Sequence, residues 1–165
     1  MDAKERMNIP RQFSRELPVA GRITNFAEVV SGYEAEAALL EAERCLQCKK
    51  PKCREGCPIH NDIPGFIRLL REGKIEEAYW KDRETNSLPA ICSRVCPHEF
   101  QCEGYCIRGK KGQPVAIGML ERYIVDWMVA NNKNLLQPCA LPKGKKVAII
   151  GSGPAGMSSA YYLAH

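Results

Sequence analysis

Eight of the nine cysteines fall into two groups whose spacing suits metal binding. The first group has the pattern C-x2-C-x4-C-x3-C and reads Cys45-Leu-Gln-Cys48-Lys-Lys-Pro-Lys-Cys53-Arg-Glu-Gly-Cys57, followed at once by Pro58. Two cysteines separated by two residues share a tight turn, so both thiolates can reach one metal centre, which spacing alone allows to be zinc or an iron–sulfur cluster. The second group contains Cys92, Cys96, Cys102 and Cys106, with Pro97 directly after a cysteine.

Two features of the sequence favour iron–sulfur clusters over zinc. The first group holds four cysteines in one run that ends in Cys57-Pro58. The runs of bacterial two-cluster ferredoxins end in the same way, and there the fourth cysteine binds the other cluster. The second feature is a glycine-rich nucleotide segment near the end of the chain, because a cluster beside a flavin makes an electron path. We therefore expect two iron–sulfur clusters, with a zinc site or a disulfide scaffold as alternatives.

The glycine-rich segment is typical of dinucleotide binding. Val147–Ile150 predicts a short strand, Gly151-Ser-Gly153-Pro-Ala-Gly156 follows it, and Met157–Ala164 has helical composition. Such glycines permit a tight turn and the close approach of a pyrophosphate, which then meets the helix N-terminus. The second strand, with its ribose-binding acid, is missing, so the segment predicts the first unit of a truncated domain. The expected cofactor-binding residues are Gly151, Gly153, Pro154, Ala155 and Gly156.

The expected fold class is mainly α: an α-helical, ferredoxin-like two-cluster domain, followed by the first β–α unit of a truncated Rossmann-type FAD-binding domain. The expected organisation is an irregular arm, the helical iron–sulfur domain, a linker that contains Pro138 and Pro142, and the start of the dinucleotide-binding domain. The boundaries of these four parts are 1–30, 31–131, 132–145 and 146–165.

Local signals predict several helices in the central part of the chain. A capping box, Ser31-Gly-Tyr-Glu34, predicts a helix over about 33–45, which would deliver Cys45 to the first cysteine group. Asp62-Ile-Pro64 predicts a helix start and Gly73 its end. Further elements are a helix over about 74–84, a connector over 86–91, a loop over 107–114 and a helix over about 115–130.

One carboxylate stands out beside the apolar face of the last of these helices. Ile117, Leu120, Ile124 and Met128 follow helical spacing, and Glu121 comes one residue after Leu120. A carboxylate at the edge of a buried face needs a partner or a function, unless it is simply exposed.

Charge and composition narrow the remaining possibilities. The net charge is +5, and many basic residues lie close to the cysteines, either as a solvated surface or to attract an acidic redox partner. No basic–aromatic pattern suggests nucleic-acid binding. No leader or membrane-spanning run is evident, so we expect a cytoplasmic protein, in which clustered cysteines favour metal or redox chemistry over disulfides. Cys139 lies apart from the others, and His60, His98 and His165 form no recognisable catalytic arrangement, so no catalytic residue is predicted.

A set of short motifs carries a more specific resemblance and covers nearly the whole chain. They are Arg44-Cys-Leu-Gln-Cys48, Gly56-Cys-Pro58, Asp62-Ile-Pro-Gly-Phe66, Thr85-Asn-Ser-Leu-Pro-Ala90, Arg94-Val-Cys-Pro97, Gln101-Cys-Glu-Gly104, Ala116-Ile-Gly118, Leu120-Glu121 and Gly151-Ser-Gly-Pro-Ala-Gly156. With them the sequence resembles the N-terminal domain of the glutamate synthase small (beta) subunit. That domain is shared with the N-terminal region of dihydropyrimidine dehydrogenase and with the large subunit of NADH-dependent ferredoxin:NADP oxidoreductase. Ser93 departs from the pattern, where the family usually has glycine.

The resemblance implies two [4Fe-4S] clusters with crossed ligation. One cluster would be bound by Cys45, Cys48, Cys53 and Cys106.

The other cluster would be bound by three cysteines and one residue from the following helix. The matching residues are Cys57, Cys96, Cys102 and Glu121, which explains the carboxylate beside the apolar face. Cys92 matches a family cysteine that is not a ligand, although the sequence alone allows Cys92 in place of Glu121.

The resemblance also implies a function. In the family, NADPH reduces FAD, and electrons then cross the clusters to the flavin of a large glutamate synthase alpha-type subunit. The alternative within the family is the subunit that couples NADPH, ferredoxin and NADH, whose partner is a small flavin subunit. An alternative of another class is a zinc-stabilised interaction module. The 165 residues alone are expected to lack activity, since neither the NADPH domain nor a complete FAD site is present.

Overall fold

The computed structural model describes residues 1–141 and 143–165, and in these residues the chain is mainly helical, as predicted. Pro142, which belongs to the predicted linker, lies outside the described residues. Two short 3-10 helices, His98–Phe100 and Ile107–Lys110, accompany the α-helices. The α-helices are α1 (Ala3–Asn8), α2 (Val19–Arg22), α3 (Ala35–Glu43), α4 (Lys52–Glu55), α5 (Ile63–Arg71), α6 (Ile75–Arg83), α7 (Pro89–Val95), α8 (Ile117–Ala130) and α9 (Pro154–Ala164).

Helix α8 lies at the centre of the domain and packs against α3, α5, α6 and α7. Its residues Leu120, Ile124 and Met128 are completely buried. They are four residues apart, so they form one apolar stripe along the helix. Truncating one such side chain to alanine costs about 2–5 kcal/mol. The predicted helix over 115–130 is therefore confirmed, and its stripe holds the surrounding helices in place.

Helices α5 and α6 form where the sequence predicts them. The carboxylate of Asp62 caps α5 by accepting a hydrogen bond from the Gly65 N–H at 3.2 Å, and Pro64 occupies the first turn. Gly73 has a φ of 76°, a left-handed conformation that glycine adopts without strain, and it separates the two helices. Phe66, Ile67 and Leu70 of α5 are buried in the core.

The start of α3 and the preceding arm differ from the prediction. Glu34 is the N-cap residue of α3, but no side chain caps this end, so the predicted capping box is absent. The Ser31 hydroxyl instead donates to the Arg15 carbonyl at 2.9 Å, next to an antiparallel bridge between Glu16 and Val30. Because Ser31 directly follows the bridge residue Val30, its hydroxyl is bonded to the arm and does not cap the helix. The arm over 1–30 contains two short helices and is otherwise irregular.

Three further elements differ from the expectations. The predicted connector over 86–91 is partly helical, because α7 begins at Pro89 and packs along α8. The predicted loop over 107–114 begins with a 3-10 helix. The predicted strand Val147–Ile150 is not formed in the described part of the chain, although α9 after it is. A strand is stabilised by hydrogen bonds to a neighbouring strand, and within residues 1–141 and 143–165 none pairs with this segment.

Candidate metal centres

Four of the predicted ligands surround one cavity, here called the first cavity, of about 30 Å³. Cys45 follows the end of α3, Cys53 lies within α4, and Cys106 precedes the second 3-10 helix. Most of the remaining lining is apolar and comes from α5, α8 and the residues before α8. The four cysteines that the structure brings together here are Cys45, Cys48, Cys53 and Cys106.

The turn between Cys45 and Cys48 is fixed by Gln47. This residue has a φ of 52°, in the left-handed region that non-glycine residues rarely adopt. Its side-chain amide donates to the Pro64 carbonyl at 3.0 Å and lies 3.4 Å from the Cys45 sulfur. The amide thus ties the cysteine turn to α5 and supplies a hydrogen bond to the sulfur of Cys45, a predicted ligand. Hydrogen bonds to ligand sulfurs are among the factors that set cluster potentials.

Three thiols of the first cavity, those of Cys45, Cys48 and Cys53, are held in their neutral form when no metal is present. Burial and, to a lesser extent, the nearby Cys45 and Cys106 together raise the pKa of Cys53 to about 12. Burial also raises the pKa of Cys45 and of Cys48. Because metals bind the thiolate, loading this site must release protons.

The second cavity, of about 230 Å³, contains the other four predicted ligands. Cys57 comes from the end of the first cysteine group, and Cys96 caps the C-terminus of α7. Glu121 lies on α8 with only 7% of its surface exposed, so it is a buried group and not a surface carboxylate. The predicted ligands that line this cavity are Cys57, Cys96, Cys102 and Glu121.

Cys92 is the ligand that the sequence allows in place of Glu121, and both residues line the second cavity. Burial raises the pKa of Cys92 to about 12, and the carboxyl group of Glu121 adds to this effect. The two groups are therefore close enough to interact, and position alone does not choose between them.

Glu121 belongs to a buried carboxylate–amide network that the sequence analysis did not identify. The network consists of Asn61, Asp82, Asn86 and Glu121. Burial raises the pKa of Glu121 well above its usual range, and the neighbouring Asp82 raises it further. Burial likewise raises the pKa of Asp82 to about 7. A positive metal centre in the cavity would favour ionised Glu121, because a nearby cation stabilises the charged carboxylate.

Sequence position offers a signal for only two of these residues. Asn86 lies within the motif Thr85–Ala90, and Asn61 directly precedes the motif Asp62–Phe66. Asp82 carries no sequence signal, because it is one of several charged residues on α6. His98, which the sequence does not link to the site, lines the second cavity with its Nε2 buried and unpartnered among the described residues.

The donor sets of both cavities fit iron–sulfur clusters. In the described residues, no three His, Cys, Asp or Glu side chains converge closely enough to hold a single metal ion. The second cavity, at about 230 Å³, has room for a group larger than a single metal ion. The first cavity is smaller, at about 30 Å³, and its four thiols come from separate parts of the chain, as a cluster with four cysteine ligands requires.

The predicted nucleotide-binding residues meet at the start of α9. Gly151 has a φ of 102°, Gly153 is the N-cap residue, and Pro154 occupies the first turn. A Cβ at Gly156 would collide with the Gly151 backbone, including its carbonyl carbon at 3.0 Å. The loop thus needs glycine at both positions, which suits a backbone that must approach a phosphate closely. Without the strand, however, the complete β–α unit is not formed.

Helix α9 contacts the segment that joins α6 to α7. The guanidinium of Arg83 lies 4.5 Å from the ring centre of Tyr161, and the Tyr162 hydroxyl donates to the Thr85 carbonyl at 3.3 Å. The hydroxyls of Ser87 and Ser158 are 3.2 Å apart.

Among the described residues, no helix is long and apolar enough to cross a membrane.

A bundle of short helices around two cysteine-lined cavities defines a helical domain of the iron–sulfur class. Residues 22–133 match the family described as dihydropyrimidine dehydrogenase domain II, 4Fe-4S cluster. This match covers more than half of the chain and includes both cysteine groups and Glu121. The chain belongs to this family.

Individual relatives match over most of the chain. UacF of Escherichia coli (strain K12) is 42% identical over 155 residues, which are 93% of this chain and 24% of UacF. The glutamate synthase [NADPH] small chain of Halomonas elongata is 40% identical over 157 residues, 95% of this chain and 33% of the relative. The NAD-dependent dihydropyrimidine dehydrogenase subunit PreT of Salmonella typhimurium is 38% identical over 138 residues, 84% of this chain and 33% of the relative. The chain therefore spans about a quarter to a third of these relatives.

Proposed function

We propose that the chain is an electron-transfer domain that holds two [4Fe-4S] clusters and connects a flavin with a partner subunit. One observation carries this proposal: the two cysteine-lined cavities are neighbours, and both are lined by Ile63 and Ile117. Because the two cavities share lining side chains, groups bound in them would lie close enough to exchange electrons. When bound, the clusters supply one-electron transfer.

The proposed ligand sets cross between the two cysteine groups. Cys57 belongs to the first group by sequence but lines the second cavity, and Cys106 of the second group lines the first cavity. We assign Cys45, Cys48, Cys53 and Cys106 to one cluster and Cys57, Cys96, Cys102 and Glu121 to the other. Cys92 is not assigned as a ligand.

The protein residues position the clusters and exclude water. Ile63, Ile67, Val115 and Ile117 give the first cavity an apolar lining, and the Gln47 amide donates toward the Cys45 sulfur. Apolar surroundings and hydrogen bonds to sulfur are what a protein uses to set the potential of a cluster. No residue of the domain needs to make or break a substrate bond, so we assign no catalytic residue.

The flavin is assigned to the segment after the helical domain. In the proposed organisation, residues 1–30 form an arm, 31–131 the iron–sulfur domain, 132–145 a linker and 146–165 the start of a FAD-binding domain. Gly151, Gly153, Pro154, Ala155 and Gly156 would lie against the FAD pyrophosphate. NADPH would bind in a part of the protein beyond these residues, as the length of the relatives suggests.

The proposed partner is a flavin-containing subunit, of the glutamate synthase alpha type. Relatives are named as a small chain or a subunit, which supports an assembly of several chains. A ferredoxin or a small flavin subunit is the alternative partner. Exposed basic residues beside the first cavity suit an acidic partner surface. These are Lys49, Lys50, Lys52, Arg54, Lys110 and Lys111.

We place the protein in the cytoplasm on the chemistry of its cysteines. All nine are unpaired, and all nine are among the described residues. A reducing compartment would keep them available as thiolate ligands, whereas an oxidising one would favour disulfides.

The test is a count of iron, zinc and acid-labile sulfide after anaerobic reconstitution of the chain with iron and sulfide. We expect about eight iron and about eight sulfide per chain, as two [4Fe-4S] clusters require. Cys48→Ser should lose about half of each. Cys139→Ser is the matched control, since Cys139 is exposed and lines neither cavity. Stoichiometric zinc without sulfide would contradict the proposal and support a zinc-stabilised interaction module.

A further inference from the structure

The second cavity differs from the first because a network of buried polar side chains lies against it. Asn61, Asp82 and Asn86 are 3%, 0% and 2% exposed, and Glu121 is 7% exposed. Removing four such groups from water is costly unless each is hydrogen-bonded. Beside its thiols, the first cavity has only the basic side chains Lys52 and Arg108 as charged lining. What distinguishes the second cavity is that buried carboxyl and amide groups, potential oxygen ligands and their partners, lie against it.

The orientation of Asn86 within this network is determined by its contacts. Its Oδ1 accepts a hydrogen bond from the Leu88 N–H at 3.1 Å, so the amide nitrogen must point the other way. Nδ2 lies 2.6 Å from Glu121 Oε1 and 3.3 Å from Asp82 Oδ2. The amide nitrogen carries two N–H groups, and the carboxyl groups of Glu121 and Asp82 can each accept one of them. Asn86 therefore presents a donor to Glu121 and cannot be flipped without losing all three contacts.

The residues around Asn86 hold it in place. Arg83 donates through Nη1 to the carbonyl of Asn86 at 3.1 Å and also to the carbonyl of Ser87. Asn61 donates to Oδ1 of Asp82, while Asn86 donates to Oδ2 of the same carboxyl group. Both the backbone and the side chain of Asn86 are thus restrained by neighbouring elements.

We propose that Asn86 is a positioning residue for Glu121 in the second iron–sulfur site. It donates a hydrogen bond to Oε1 of Glu121 and so restrains a side chain that has three rotatable bonds. The other carboxylate oxygen, Oε2, then remains available to bind the cluster. Cys92 lines the same cavity as a competing donor, so fixing the carboxylate also decides which group binds. The inference rests on the proposed function, because it requires Glu121 to be a ligand.

The experiment measures the two clusters separately, by redox titration followed with electron paramagnetic resonance on the anaerobically reconstituted chain. Asn86→Ser keeps an acceptor near the Leu88 N–H but is too short to reach Glu121. We expect it to shift the potential and the signal of one cluster and to leave the other unchanged. Glu121→Ala should affect the same cluster. In the Glu121→Ala background, Asn86→Ser should add no further shift, since its effect passes through Glu121.

Two outcomes would overturn the inference in distinguishable ways. If Glu121→Ala alters one cluster and Asn86→Ser alters neither, Asn86 has no positioning role while the proposed function stands. If Glu121→Ala also alters neither cluster, the ligand assignment itself is wrong. Should Asn86→Ser lose its helical circular dichroism signal, Asn86→Leu provides the same test, because it keeps the approximate size of the side chain and has no donor. Asn131→Ser is the control, since Asn131 is exposed at the end of α8.

Discussion

The imidazole of His98 lies directly against Gly118 in the first turn of α8. A Cβ at residue 118 would overlap three ring atoms of His98, with Nδ1 at 2.7 Å. The Gly118 N–H also donates to the buried Glu103 carboxylate at 3.1 Å, so the helix cannot easily shift away. Glycine is needed here for space rather than for its backbone conformation, and His98 lines the second cavity.

Gly118→Ala should therefore destabilise the chain by about 1–3 kcal/mol, the usual cost of forcing extra atoms into a packed interior. The gain in helix propensity from alanine, at most about 1 kcal/mol, is smaller than this cost. Urea unfolding followed by circular dichroism measures the difference. Gly112→Ala is the matched control, because a Cβ at Gly112 meets nothing within 4 Å. Equal midpoints for the two variants would contradict the packing argument.

A second prediction concerns the cap of α5, which carries several residues that line the two cavities. Asp62→Ala removes the acceptor of the Gly65 N–H and should cost about 0.5–2 kcal/mol. Asp62 also forms a partly exposed ion pair with Lys81 at 3.2 Å, worth about 0.2–1 kcal/mol. Asp62→Asn keeps the cap and loses only this pair, so its unfolding free energy should lie between those of wild type and Asp62→Ala. If the two variants are equally unstable, the cap contributes nothing.

A third prediction concerns Glu41, which joins three parts of the chain. Its carboxylate accepts from buried Arg44 on the same stretch of chain, from the Ala116 N–H at 2.7 Å and from the Gln12 N–H at 2.8 Å. Glu41→Ala leaves the Arg44 guanidinium, 1% exposed, without its carboxylate. Breaking a buried pair in this way costs about 3–5 kcal/mol.

The measurement for Glu41→Ala is the urea midpoint, compared with that of Glu36→Ala. Glu36 lies on the same helix but is exposed, so its removal should change the unfolding free energy by less than about 0.5 kcal/mol. Digestion by trypsin near residues 11 and 15 reports the arm separately. Faster cleavage there in Glu41→Ala alone is expected, because the arm loses its contact through Gln12.

The parts of the fold that the sequence predicts are those that depend on local signals. Asp62, Pro64 and Gly73 mark α5 within one stretch of chain, and the apolar stripe of α8 repeats at helical spacing. The predicted connector over 86–91 overlaps the first three residues of α7, because these residues show no apolar periodicity and the helix is stabilised by packing along α8. The capping box at Ser31 failed for a similar reason, since a distant segment of the arm takes the serine hydroxyl.

The same distinction applies to the candidate site. The cysteines can be identified as candidate ligands from residue type and spacing, and the structure brings the predicted ligands together at two cavities. The network behind Glu121 is harder to predict, because Asp82 and Asn86 are four residues apart but meet Asn61 and Glu121 only through the packing of α6 on α5 and α8. Residues Val147–Ile150 show the opposite limit, since their local signal predicts a strand but they pair with no strand in the part of the chain that the structure describes.

A final prediction concerns alkaline pH. The Tyr33 hydroxyl donates to the Gln12 carbonyl at 2.7 Å and so ties the arm to the segment before α3. Burial raises the pKa of Tyr33 above its usual value, and the nearby Glu41 carboxylate raises it further. A raised pKa means that the folded chain keeps this proton while the unfolded chain releases it near pH 10. Stability contributed by Tyr33 is therefore complete below pH 10 and falls as the pH rises beyond it.

The loss amounts to about 1.4 kcal/mol per pH unit for each such proton. Tyr33→Phe should show a constant deficit of about 1 kcal/mol below pH 9, from the lost hydrogen bond. Above pH 10 its unfolding free energy should fall less steeply than that of wild type. The difference in slope corresponds to the release of one proton, about 1.4 kcal/mol per pH unit. Tyr79 and Tyr123, whose pKa values are also raised by burial, keep part of the slope in both chains. Parallel curves up to pH 11 would show that Tyr33 ionises equally in both states and that its burial has no energetic consequence.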